Sequence, residues 1–197
     1  MSADIGTGSQ ASAASQIQLP VRMNPHITVA EALAAFQRKV PGATAEVRAV
    51  VHPFWWVPLT VRTHGLLRRS AVGRGQRMDI LINAVSGRGV IADFTPTGEA
   101  GTAEEWSDLI GEVGDHRNVP SQADARRTAR SLARTKVLGT VKLGMGFDIS
   151  TVDHEGARRL LKPNWLVAGG NDKHTATILI DGLDASHYIV RAEKRDC

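Results

Sequence analysis

The hydrophobic pattern of the chain changes from helical spacing to strand spacing early in the sequence. Thr28-Val-Ala-Glu31 is a capping-box pattern, and the apolar residues after it recur at helical spacing until Pro41-Gly42, which stops a helix. A β-rich stretch follows from 45 to 63. Pro53 and Pro58 bracket its aromatic centre, and because proline cannot donate to a ladder, we expect this strand to break there or to lie at a sheet edge.

The apolar segments after this stretch predict a hairpin, a helical middle region and further strands. In order, the pattern predicts a buried strand over 77–84, a turn over 85–89, a returning strand over 90–94, a helix that begins at Ser121 and ends at Gly139, and a brief helix over 153–161. The helix from Ser121 has a thin apolar face, and its other face carries several arginines.

The strand pattern then occurs a second time, which predicts an internal duplication. The segment 162–167 aligns with 52–57, the segment 178–183 with 80–85, and the segment 187–190 with 89–92. The spacing from the proline to the Ile-Leu-Ile strand is 27 in the first copy and 15 in the second, since the second copy lacks a basic loop. Insertions fall in loops while strands are kept, as a diverged duplication would show. The alternative is chance similarity between short β-segments.

These elements predict an α+β protein of two related units, each a helix packed on a small curved antiparallel sheet. Residues 1–18 are rich in Ser, Ala and Gly and are expected to be a disordered leader. We expect the first unit to span 19–100, and 101–197 to hold a helical connection and the second unit. A single merged domain is the other organisation that fits the pattern.

The first copy also resembles PepSY-like domains. The segment Thr28-Val-Ala-Glu-Ala-Leu-Ala-Ala-Phe36 precedes Val40-Pro-Gly-Ala43, and the hairpin Ile80-Leu-Ile-Asn-Ala-Val-Ser-Gly87 is similar to the V-D-A-x-T-G hairpin of that family. The resemblance covers 28–94 and, more loosely, 121–192. It implies tandem helix-on-sheet units that bind peptides or restrain partner proteins without catalysis. The chain departs from the family at Asn83, where Asp is usual, and at Asp184-Ala185, where Thr-Gly would stand.

Composition and the start of the sequence predict where in the cell the protein is located. The chain has 197 residues, a formal net charge of +4 and one cysteine, the terminal Cys197, so an intrachain disulfide is excluded. The sequence has neither an apolar run of about 18 residues nor a secretory signal at its start. We therefore expect a cytoplasmic protein without a transmembrane segment.

The sequence contains no recognisable catalytic or metal-binding motif. None of the seven histidines forms a His-x-His or His-Glu-x-x-His pair, and no Gly-x-Ser-x-Gly elbow or Walker lysine is present. We expect no catalytic residue, no cofactor and no metal site. An enzyme with a site between the repeats is the third hypothesis, and His52 or His64 facing a deep polar cavity would favour it.

The aromatic strands suggest contacts with another protein or a second copy of the chain. Strand alternation sends Trp55 to one face and its neighbours to the other, so a sibling repeat, a partner chain or a ligand must cover one of these faces. Our main hypothesis is a non-catalytic accessory module that binds a protein partner or forms a homodimer. The expected partner-binding residues are His52, Phe54, Trp55, Trp56, Arg68, Arg69, Arg74 and Trp165.

The arginines support an alternative function. Arginine clusters in the basic loop and on the helix after Ser121 would form an anion-binding surface if the fold brings them together. The residues expected to contact nucleic acid are Arg68, Arg69, Arg74, Arg126, Arg127 and Arg130. No helix-turn-helix, zinc-finger or aromatic RNA-binding signature accompanies them.

Overall fold

The computed structural model describes residues 18–65, 75–111, 119–140, 145–152 and 156–195. The expected leader, apart from Gln18, and the loop arginines Arg68, Arg69 and Arg74 lie outside these residues. In chain order the described elements are β1 (Val21–Met23), α1 (Val29–Lys39), β2 (Thr44–Gly65), β3 (Gln76–Asn83), β4 (Gly89–Ala92), β5 (Gly98–Ala100), α2 (Ala103–Gly111), α3 (Gln122–Leu138), β6 (Met145–Thr151), β7 (Arg158–Gly170), β8 (His174–Asp181) and β9 (His187–Lys194).

The two long helices begin where the sequence predicts. Thr28 and Glu31 form a capping box at α1, in which each side chain bonds the other residue's backbone amide. Ser121 and Asp124 form the same arrangement at α3. The capping box predicted at Thr28 and the helix start predicted at Ser121 are both confirmed, because each depends on residues only three positions apart.

All nine described strands belong to one mixed sheet. Its strands run in the order β4-β3-β2-β7, and β7 continues to β8 and then β9 along part of its length. β1 pairs parallel to β7, whereas the other pairings are antiparallel. The centre of the sheet is the β2–β7 pair, in which residues 44–56 face residues 158–170.

The predicted fold of two related units, each a helix packed on a small curved antiparallel sheet, is wrong. β2 is 22 residues long and continuous, and its pairing with β7 joins all the strands into one sheet. The helices also cross over between the halves. Phe36 of α1 packs with Ile178 and Ile180 of β8, while Ala129 of α3 packs with Ile80 and Ile82 of β3. Each helix therefore covers strands from the other half of the chain.

The expectation that β2 breaks at its prolines, or lies at an edge, is also wrong. Pro53 lies one residue before the pairing with β3 begins at Phe54. Pro58 lies between Trp56, where the pairing with β7 ends, and Leu59, where the pairing with β6 begins. A missing N–H costs little where one neighbouring strand gives way to another, so β2 runs through the middle of the sheet.

The strands that align in sequence occupy corresponding places in the sheet. Trp55 faces Ile82 in the first half, and Trp165 faces Ile180 in the second. The outer hairpins repeat this register, with Ile80 opposite Ile91 and Ile178 opposite Ile189. His52 and Lys162, which align with each other, are paired near the centre of the β2–β7 ladder. The two halves are thus related by an approximate two-fold axis through this pair.

The helix expected over 153–161 is not formed over its described C-terminal part. Residues 153–155 lie outside the described part of the chain, and β7 begins at Arg158. Leu160 and Leu161 are both buried, on opposite faces of the sheet, as consecutive residues of a central strand must be.

Candidate functional site

The three tryptophans expected to bind a partner make bonds within the chain. The Trp55 indole N–H donates to the Pro120 carbonyl at 2.9 Å, and the Trp165 indole N–H donates to the Ile27 carbonyl at 2.8 Å. Each carbonyl belongs to the residue just before a helix cap, Ser121 or Thr28. Trp55 and Trp165 therefore anchor the starts of α3 and α1 on strands of the opposite halves.

Trp56 lies on the other face of the sheet and is 4% exposed. Its indole N–H donates to Asp79 Oδ1 at 2.7 Å. Arg77 donates to both Asp79 oxygens at 2.9 and 3.0 Å, and the Thr95 hydroxyl donates to Oδ2 at 3.1 Å. The buried carboxylate of Asp79, which the sequence reasoning missed, thus holds Trp56 inside the protein. The alternation of Arg77 and Asp79 on one strand face was the available signal.

The remaining aromatic and histidine candidates lie at the centre of the sheet. His52 Nδ1 is 2.9 Å from the amide nitrogen of Asn164, and Lys162 forms an ion pair with Asp181. The Lys162 ammonium lies 5.9 Å from the ring centroid of Phe54. Burial lowers the pKa of His52, the positive charge of Lys162 lowers it further, and Asp181 opposes these effects. We call His52, Asn164, Lys162 and Asp181 the polar centre.

A cavity of about 590 Å³ adjoins the polar centre on the face opposite the helices. Phe54, Leu81 and Phe94 form apolar parts of its wall, and Lys162 and Asp181 reach it from the polar centre. Neither His52 nor His64 belongs to the described lining, although either would have favoured an enzyme site. His64 Nε2 instead lies 3.4 Å from Asp148.

The described arginines of the nucleic-acid alternative lie on the outer face of α3. Arg126, Arg127 and Arg130 are exposed, and Arg127 forms an ion pair with Asp124. Arg126, Arg130 and Arg134 recur every four residues, so they form one stripe along the helix. The loop arginines Arg68, Arg69 and Arg74 lie outside the described residues.

A run of three exposed apolar residues lies on β9, which the sequence reasoning did not single out. All eight residues of this strand are exposed, and Tyr188, Ile189 and Val190 retain 70%, 52% and 54% of their accessible surface. Among the described strands, β9 pairs with β8 alone, so it forms one end of the sheet. We call Tyr188, Ile189 and Val190 the β9 patch. Three consecutive apolar residues were visible in the sequence, but nothing there showed which of their sides is open.

A register shift interrupts the β8–β9 ladder beside this patch. Thr177 faces Arg191 and Ile178 faces Ile189, which leaves Val190 as an extra residue on β9. Such a bulge twists an edge strand and disturbs the addition of a further strand. The β9 patch therefore offers side chains to a partner more readily than a regular backbone ladder.

The described residues contain neither a metal-binding cluster nor a membrane-spanning helix, and no known protein matches the chain. Within the described residues, no cluster of three or more His, Cys, Asp or Glu side chains could hold a metal ion. No helix in the described ranges is long and apolar enough to cross a membrane. No protein family, curated protein or solved structure matches the chain. The resemblance to PepSY-like domains stays a prediction.

Proposed function

We propose that this protein is a non-catalytic binding module that contacts a protein partner through the β9 patch. The observation that carries the proposal is the exposure of Tyr188, Ile189 and Val190, three consecutive large apolar side chains on the end strand of the sheet. Large exposed apolar side chains on an end strand are typical of an interaction site, because covering them releases water. The proposal keeps the sequence hypothesis of a cytoplasmic accessory protein but moves its contact surface.

We assign the contact surface to β9 because the tryptophans expected to bind a partner are buried. Trp55 and Trp56 are buried, and their indole N–H groups are occupied by Pro120 and Asp79. Tyr188 and Ile189 are exposed and lie in a strand, so little backbone freedom is lost when a partner covers them. A large apolar or aromatic residue with a rigid backbone is a common anchor of protein interfaces.

The two-fold relation between the halves supplies a matched control for the test. Val90 and Ile91 of β4 correspond to Tyr188 and Ile189 of β9, and they are also exposed. We compare the double variant Tyr188→Ser/Ile189→Ser with Val90→Ser/Ile91→Ser, measuring native mass and the amount of partner captured from an extract of the native host. We expect the β9 variant to lose at least tenfold in capture or self-association, and the β4 variant to behave as the unchanged protein.

Equal loss in both variants, unchanged capture by the β9 variant, or a monomer that captures nothing would contradict the proposal. A dimer that the β9 variant dissociates would show that the partner is a second copy. Salt-dependent DNA binding that survives the β9 change but is lost in Arg126→Glu/Arg130→Glu would favour the nucleic-acid alternative instead.

A further inference from the structure

A groove opens between the end of α1 and β9, on the face of the sheet that the helices cover. Its volume is about 250 Å³. Its apolar lining comprises Val40, Ala176, Ile178, Ile189 and Ala192, and its charged or ionisable rim comprises Lys39, His174, Glu193 and Lys194. We call it the α1–β9 groove. Ile189 belongs both to this groove and to the β9 patch.

The other half of the chain shows what covers the corresponding surface there. Lys39, the last residue of α1, is eleven positions after its cap Thr28, and Leu132 is eleven positions after the cap Ser121. α1 ends at this point, whereas α3 continues to Leu138. α1 therefore lacks the last turns by which α3 covers the outer hairpin of the first half.

Contacts from Leu132 onward show that the end of α3 is packed on the sheet. A Cβ placed on Gly89 of β4 would lie 2.4 Å from Leu132 Cδ1, so the helix approaches this strand very closely. Val137, one residue from the end of α3, is 5% exposed. In the second half no described helical turn lies in the corresponding place, and the groove is open.

The groove has the surface that a helix requires. Ala176 and Ala192 have small side chains, which let a helix approach the strands closely, and Ile178 and Ile189 supply apolar walls. The bulge beside Val190 disfavours an added strand at this edge. A helix fits the groove without depending on the interrupted ladder.

Charge at the rim indicates the chemistry of the partner. Lys39 and Lys194 are exposed, and among the described residues neither takes part in an ion pair. The acid on the rim, Glu193, forms an ion pair with Arg191 at 2.6 Å. The rim is therefore net positive and complements a negatively charged partner.

We infer that the α1–β9 groove binds an acidic amphipathic helix of a protein partner, in the place that the last turns of α3 occupy in the other half. The inference rests on the proposed function, which it makes specific in partner type and binding mode. The apolar face of such a helix would lie over Ala176 and Ala192, with carboxylates near Lys39 and Lys194.

A display library of helical peptides tests this inference on the full chain. Each peptide has a constant apolar face and randomised outer positions, and the selected peptides are measured by fluorescence anisotropy. We expect enrichment of net-negative peptides, and at least tenfold weaker binding both to Ala192→Trp, which fills the groove, and to Lys39→Glu/Lys194→Glu. The control Arg127→Glu/Lys136→Glu, which reverses two exposed charges on α3, should bind as the unchanged protein does.

No enrichment, enrichment of neutral or basic peptides, or undiminished binding to both groove variants would overturn the inference. Thermal unfolding of each variant tests whether it is folded. If Ala192→Trp does not fold, the surface variant Lys39→Glu/Lys194→Glu decides the outcome. If Tyr188→Ser/Ile189→Ser loses its native partner while both groove variants keep it, the proposed function stands and the helix inference falls. If none of these variants loses the partner, both fall.

Discussion

At the scale of single residues, one turn position shows how the two halves differ. Gly87 and Ala185 occupy corresponding places in the two hairpin turns, with φ angles of 70° and 60°. Each donates its amide to the carbonyl of the preceding strand end, Asn83 at 2.9 Å or Asp181 at 3.1 Å. Glycine adopts this backbone without cost, whereas alanine is strained there. The second turn therefore departs from the Thr-Gly pattern in sequence but keeps the same backbone shape.

This position yields a matched pair of substitutions. We expect Ala185→Gly to raise the free energy of unfolding by roughly 0.5–1 kcal/mol, because relief of strain exceeds the entropy that glycine adds to the unfolded chain. We expect Gly87→Ala to lower it by about 1 kcal/mol, since nothing lies within 4 Å of the new Cβ and only the backbone is strained. Urea unfolding measures both values. Destabilisation by Ala185→Gly would contradict the assignment of strain to the second turn.

At the scale of elements, the start of each long helix is held twice. One contact is the capping box, which is local. The other is a hydrogen bond from a tryptophan on a strand of the opposite half to the carbonyl just before the helix cap. Trp55 also packs edge-to-face on Trp106 of α2, with ring centroids 5.0 Å apart. Trp165 has neighbours from α1 in its cluster. The position of each helix therefore depends on a residue more than sixty positions away.

We expect Trp165→Phe to destabilise the protein by about 1–3 kcal/mol, from a lost hydrogen bond and a small cavity. Hydrogen exchange should speed up at the amides of α1 and remain unchanged at those of α3. The matched variant Trp55→Phe should give the reverse pattern, faster exchange in α3 and little change in α1. Loosening of the same helix by both variants would contradict the crossed arrangement.

At the scale of the whole molecule, the crossed helices make each half of the chain incomplete. The strands β2 and β3 need α3 over their apolar face, and the strands β7 and β8 need α1. The long β2–β7 ladder joins the halves as well. The two halves thus share one sheet and are related by two-fold pseudosymmetry.

We expect residues 1–111 and 119–197, produced separately, to lack a cooperative unfolding transition as monomers, because each leaves an apolar sheet face bare. Mixed in equal amounts, they should associate and recover the near-ultraviolet circular dichroism of the intact chain. A sharp transition in either fragment at monomeric mass would show that a half folds alone.

The sequence by itself determined the features that depend on near neighbours. The capping boxes at Thr28 and Ser121, the hairpin that turns at Gly87, and the alignment of Trp165 with Trp55 were all readable from residues close together in the chain. Alternation also required that both faces of the strand around Trp55 and Trp56 be covered. What covers them could not be read in this way.

Only the tertiary structure decided which surfaces cover one another. Hydrophobic periodicity shows that a face is apolar but not what packs on it. For this reason α1 was expected on the sheet of its own half, whereas it packs mainly on β7 and β8. For the same reason Trp55 and Trp56 were expected at an interface and are buried, while Tyr188 and Ile189 were passed over and are exposed. Burial is a property of the assembled sheet, and so the candidate interaction surface could be found only there.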